Sequence, residues 1–169
     1  MAGVIGRPPN WGKPEDLQKD AVEIAVGSQD DFANEKEFCD FIARNAENIA
    51  NDVFGKEIKY VNREDNFLGR GKFMGRLPRV DFRLDFKDGS SAIVECKHPK
   101  KNRFHELSRA LGQILSYSVL AERSDRKVQV IALFVTRYEE ILGDVIKKFK
   151  LPVEVYVIGR KGVAKLYGY

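Results

Sequence analysis

Two stretches of strict alternation, joined by a glycine turn, constrain this chain more than any other feature. From Arg79 to Phe86, Val80, Phe82, Leu84 and Phe86 alternate with Asp81, Arg83 and Asp85. From Ser91 to Lys97, Ala92, Val94 and Cys96 alternate with Ile93, Glu95 and Lys97. A period of two marks a strand with one face toward a core. Lys87-Asp88-Gly89 between the stretches reads as a hairpin turn, with Gly89 suited to a left-handed position. A three-residue loop pairs Phe86 with Ser90, and counting back places Asp81 opposite Glu95. A two-residue loop would place Asp81 opposite Cys96 and part the carboxylates.

The rest of the chain builds on this hairpin. Residues 1–14, with three prolines and three glycines, read as an extended arm. A short helix over Pro14–Ala25 follows. Asn34 is the expected N-cap of a helix from Glu35 to about Asp52, with Phe38, Phe41, Ile42, Asn45 and Ile49 along it and Gly55 as its stop. Glu57–Asn62 reads as a strand, and residues 63–77 as a glycine-rich basic loop carrying Arg70, Lys72 and Arg76. A long helix is expected over Phe104–Glu122. Val128–Val135 is a nearly continuous apolar run, as a buried central strand requires. Tyr138–Lys148 reads as helix, and Val153–Ile158 and Val163–Tyr167 as strands. The order α-β-β-β-α-β-α-β-β predicts an α/β fold with a mixed central sheet flanked by helices on both sides. The 169 residues fit an N-terminal arm and short helix (1–30) ahead of one domain (31–169).

Composition excludes some classes. Hydrophobic residues make up 43% and charged residues 32%, enough apolar mass for a core. The apolar runs are too short to cross a bilayer, so no membrane association is expected. Met1 to Trp11 lacks the apolar stretch of a secretory signal. Cys39 and Cys96 cannot build a disulfide framework, so cytoplasmic, reducing conditions are expected. A net charge of +4 is weak on its own. Its distribution says more: Lys97, Lys100, Lys101, Arg103 and Arg109 cluster in one stretch with His98 and His105. A solvated loop is the plain reading, and a phosphate-binding rim the sharper one. The histidines and cysteines lack zinc-site spacing.

The hairpin carries the chemistry. Two carboxylates side by side repel one another, and a hard divalent cation with oxygen ligands resolves the repulsion. Mg²⁺ is the expected ion, with Mn²⁺ as a substitute. Lys97, two residues after Glu95, points to the same face, where an ammonium can orient a water or offset charge on a phosphate. The backbone carbonyl of Cys96 is available as a further ligand. Taken singly, a strand-face aspartate is usually solvated and a Glu-x-Lys pair is usually a surface ion pair. The conjunction of Asp, glycine turn and Glu-x-Lys shifts that balance.

Arg-Val-Asp81 followed by Ile-Val-Glu95-Cys-Lys97 resembles the core of the PD-(D/E)XK nuclease superfamily, with Val80 in the usual proline position and Pro78 displaced. Gln113-Ile-Leu-Ser-Tyr117 resembles the Gln-x-x-x-Tyr motif of its RecB-like branch, and Asn34-Glu35 through Asn45 resembles the opening helix of RecB-like DNA endonucleases. These resemblances span roughly half the chain. They imply a restriction-endonuclease-like core and a Mg²⁺-dependent endonuclease acting on DNA. Asp81, Glu95 and the Cys96 carbonyl would hold the metal and Lys97 would act in catalysis. A helix carboxylate would complete the site, with Glu35 the first candidate and Glu37 the alternative. Gln113 and Tyr117 would bind the substrate backbone, and Lys100, Lys101, Arg103 and Arg109 would attract it. Gly-Arg-Pro-Pro with Pro-Glu-Asp-Leu-Gln-Lys resembles the start of some phage small-terminase and helix-turn-helix proteins, which implies a phage or mobile-element origin. The alternative is a nucleic-acid-binding module of the same fold without activity. DNA versus RNA, endo versus exo action and one versus two metals stay open, and sequence-specific reading would need a homo-oligomer or the 63–77 loop.

Overall fold

The computed structural model describes residues 3–5, 26–65, 79–100, 103–122, 128–137 and 139–167. Its strands are β1 (Gly3–Ile5), β2 (Ile58–Asp65), β3 (Val80–Phe86), β4 (Ser91–Lys97), β5 (Val128–Val135), β6 (Glu154–Gly159) and β7 (Gly162–Tyr167). Its α-helices are α1 (Glu35–Arg44), α2 (Ala46–Phe54), α3 (Arg103–Glu122) and α4 (Glu140–Phe149). Among the described residues the strands form one sheet in the order β1-β7-β6-β5-β4-β3-β2. The β4–β5 and β5–β6 pairs are parallel and the others antiparallel, so the sheet is mixed.

The alternation that predicted the hairpin also sets its register. Phe82 pairs with Val94, Arg83 with Ile93, Leu84 with Ala92 and Asp85 with Ser91. The Phe86 N–H donates to the Ser90 C=O at 2.9 Å, and Gly89 has φ +85°. This is the three-residue loop, with glycine at the one conformation an L side chain resists.

Parallel strands need crossover connections, and helices supply them. Helix α3 links β4 to β5 and α4 links β5 to β6. Both lie on one face, where Leu107, Ile114, Leu142 and Ile146 pack against Ile93, Leu133, Val135, Val155 and Val157. On the other face Phe38, Ile42 and Ile49 of α1 and α2 pack against Phe82, Leu84, Val94, Phe134 and Tyr156. Ala132 to Val135 are fully buried between the two layers, as their unbroken apolar run requires. Among the described residues no helix is long and apolar enough to cross a membrane.

One expectation needs correction. The single helix expected from Glu35 to about Asp52 breaks at Asn45, where φ is −112° and ψ is 15°. The Asn45 side chain donates to the Phe41 C=O at 2.9 Å, the local competition with helical bonding to which asparagine is prone. β1, inside the expected arm, pairs with β7, Val4 opposite Ala164. Val26 is buried in the core on the α3–α4 face. There the chain crosses Gly159 so closely that a Cβ at that position would lie 1.8 Å from the Val26 carbonyl oxygen. The Pro14–Ala25 helix, most of the 63–77 loop, Lys101 and Tyr138 lie outside the described residues.

Candidate functional site

The last pair of the β3–β4 ladder is Phe82–Val94. One step further the strands part, and Asp81 stands in the opening across from Glu95, as the hairpin count places it. Its Oδ2 accepts the Cys96 N–H at 2.8 Å. The Lys97 C=O accepts from the Thr136 N–H at 3.2 Å, on the β5 side. Backbone groups alternate sides along a strand, so the Cys96 C=O points toward β3, the side on which Asp81 lies.

Glu95 is only 3% exposed. Its Oε1 lies 3.1 Å from Lys97 Nζ, while Oε2, also buried, has no hydrogen-bond partner among the described residues. Asp85, further along the same hairpin, shows the contrast. Its Oδ1 accepts the Ser91 hydroxyl at 2.7 Å and its Oδ2 accepts from Asn62 at 2.9 Å. Asp85 is a satisfied structural acid; Glu95 is half satisfied, in a place where an unmet oxygen is costly.

The electrostatics follow from this burial. Desolvation pushes the Glu95 carboxyl up to about 7, and the neighbouring charge of Asp81 adds to the rise. Desolvation also raises Asp81, against the opposing pull of the Cys96 N–H and Lys97. For Lys97, burial works to lower the pKa, but the charges of Glu95, Glu35 and Asp81 outweigh it and hold the ammonium above its ordinary value. Lys97 is therefore a cation at neutral pH.

Helix α1 delivers Glu35. Asn34 caps it by accepting the Glu37 N–H at 2.9 Å, as its residue type predicts. Glu37 reaches back to the Ala33 N–H at 2.7 Å and pairs with Arg160 at 2.7 Å. Glu37 is thus engaged at the helix start, while Glu35 Oε1 comes 3.3 Å from Lys97 Nζ. Of the two candidate helix carboxylates, geometry brings Glu35 to the site.

Helix α3 forms the other wall. A cleft of about 300 Å³ is lined by Glu35, Lys97, Glu106, Arg109 and Gln113. Gln113 and Arg109, both expected to meet the substrate, line it with Glu35 and Lys97. Glu106 was missed, although its spacing from Arg109 and Gln113 along one helix face was readable. Tyr117 is engaged within the protein. It is buried, and its hydroxyl donates to the Arg79 C=O at 2.8 Å, two residues before Asp81. Burial, with the charges of Glu95 and Asp81, pushes this phenol up to about 12. Tyr117 therefore fixes the chain that presents Asp81. Of the basic rim, Lys100 donates to the Ala33 C=O and Arg103 lies 3.4 Å from Glu139. Neither lines the cleft.

The thiols of Cys39 and Cys96 approach the Asp81 carboxylate on the α1 side, within 4.8 Å. Burial, then Cys39, holds the Cys96 thiol well above its ordinary value, so Cys96 reads as a buried packing residue. The Asp81 carboxylate, the unmet Glu95 Oε2 and the Cys96 carbonyl are oxygen donors, the kind a hard divalent cation takes. No known family model, curated protein or solved structure matches the chain.

Proposed function

We propose that this chain is a Mg²⁺-dependent nuclease that hydrolyses phosphodiester bonds of DNA, on a restriction-endonuclease-like core. The observation that carries this reading is the buried Glu95 with one oxygen unmet, set beside Asp81 and Lys97 at the open end of the β3–β4 hairpin. A structural Glu-Lys pair needs no second carboxylate and leaves no buried oxygen without a partner.

In this reading Asp81, Glu95 and the Cys96 C=O would hold the ion. When bound, Mg²⁺ supplies a lowered pKa for the attacking water and a counter-charge for the phosphate. Lys97 stays protonated, so it donates: it orients the water and meets charge developing on the phosphate oxygens. Glu35 and Glu95 hold its Nζ from two sides and set its direction. Gln113 and Arg109, on the cleft wall, donate to the strand's backbone. Tyr117 keeps Asp81 in place from below.

Cleavage of plasmid and single-stranded DNA in Mg²⁺, Mn²⁺ and EDTA tests this. Wild type should cleave in either metal and not in EDTA. Asp81→Ala and Glu95→Ala should abolish cleavage while remaining folded. Wild-type rates in either variant would refute the site, and DNA binding without cleavage in wild type would favour a binding module instead.

A further inference from the structure

The residue after Thr136, whose N–H bonds to Lys97, is an arginine that is 8% exposed. The Nε of Arg137 is buried and has no hydrogen-bond partner among the described residues. The acid it pairs with is Glu139, whose Oε1 lies 3.6 Å away, and the same oxygen lies 3.4 Å from Arg103 Nη1. Both separations exceed the roughly 2.7–2.9 Å of a well-made charge-assisted bond. One carboxylate oxygen therefore serves two guanidiniums, and the group carries a net positive charge. Arg103 is also the first residue of α3, a 20-residue helix, so the positive end of that helix dipole falls at the same place.

The position relative to Lys97 follows from register. Lys97 pairs with Val135 across the parallel β4–β5 ladder. Val135 packs on the α3–α4 face. Thr136 turns the other way, its hydroxyl 2.9 Å from His98 Nδ1. Strand β5 ends at Val135, so Arg137 lies in the bend that follows it, one residue past the Thr136 N–H that bonds the Lys97 C=O. A cationic pair with an unmet donor thus begins just past the end of the strand that neighbours the candidate catalytic lysine.

We propose that Arg137 and Arg103 form an oxyanion subsite for a phosphate of the nucleic-acid strand flanking the scissile one, with Glu139 as the internal anion that this phosphate displaces. The inference rests on the nuclease reading, because that reading places a phosphate at Lys97. The guanidinium fork suits two oxygens of one phosphate better than the single carboxylate oxygen it now faces.

The test uses the full chain in EDTA and a fluorescein-labelled oligodeoxynucleotide, with affinity measured across salt concentrations. Glu139→Gln should tighten binding about fivefold or more and steepen the log–log salt slope by about one, because a competing anion is gone. Arg103→Gln should weaken binding about tenfold and flatten the slope by about one. Arg137→Lys keeps the charge without the fork and should also weaken binding. Inorganic phosphate should raise the melting temperature of wild type, and raise it further in Glu139→Gln. The Glu139 side chain makes no cap hydrogen bond at α4, so its variant decides the matter even if Arg137→Lys fails to fold. Unchanged or weaker binding by Glu139→Gln, with no added stabilisation by phosphate, would overturn the subsite. Should the binding changes appear while wild type fails to cleave in Mg²⁺, the nuclease reading falls and the anion site stands. Should wild type cleave while Glu139→Gln leaves the slope unchanged, the subsite falls alone.

Discussion

Without metal, the folded protein holds Glu95 against its own charge, and Glu95→Gln should make that cost measurable. The folded state raises the Glu95 carboxyl from 4.5 to about 7. The folded protein thus takes up this proton more readily than the unfolded chain. The corresponding stability is fully present below about pH 4.5 and is lost as pH rises through about 7. That rise corresponds to about 3 kcal/mol at most. Part of it belongs jointly to Asp81, and glutamine leaves Lys97 with one fewer anion, so a gain of about 1–3 kcal/mol is expected above pH 7. In a chain of this size that is about 2–12 °C in Tm. Thermal unfolding in EDTA should therefore show the variant more stable than wild type near pH 8 and nearly equal to it near pH 4.5. Mg²⁺ should reverse the order at pH 8, since a ligand that binds only the folded wild type stabilises only wild type. A variant less stable than wild type at pH 8 in EDTA would mean that Glu95 is a satisfied structural acid, and the metal reading would lose its main support.

Three further outcomes are expected. Lys97→Ala should lower single-turnover cleavage by about two to four decades with little change in DNA affinity; equal losses in both would make Lys97 a binding residue. Tyr117→Phe leaves the Arg79 C=O without its donor and should cost about 1 kcal/mol of stability. It should also lower the cleavage rate without altering the salt dependence of binding, and wild-type values for both stability and rate would remove Tyr117 from the positioning role. Gly159→Ala puts a Cβ where the Val26 carbonyl passes, so thermal unfolding should show a loss of about 1–3 kcal/mol or more, and an unchanged Tm would contradict that close crossing.

The hairpin was legible because its determinants are local. Turn length, glycine position and parity together fix which residues oppose one another, and no distant segment can alter that count without breaking the alternation. The Asn34 cap was legible for the same reason. The break at Asn45 is local too, but it depends on whether one side chain bonds its own helix, and residue type alone leaves that open. Strand β1 lies at the other extreme. Gly3-Val4-Ile5 is too short to carry a period, and its partner strand, Val163 to Lys165, is at the far end of the chain.

The site divides along the same line. Parity put Asp81, Glu95 and Lys97 together, yet the same pattern on an uncovered sheet would be a solvated ion pair worth little. What distinguishes the two cases is burial, and burial comes from elements remote in sequence. Helix α3 packs over this face and α1 closes in with Glu35, leaving Glu95 almost without solvent and one of its oxygens unmet. Arg137 shows the limit most sharply. It sits in the bend just after β5, and its nearness to Lys97 requires the parallel β4–β5 register, which runs through a 20-residue helix and has no hairpin count to set it. Antiparallel neighbours could be deduced from the sequence, whereas groups brought together by a crossover could be placed only in the folded structure. Those crossover-placed groups decide whether Glu95 and Lys97 form a working site or an ordinary ion pair.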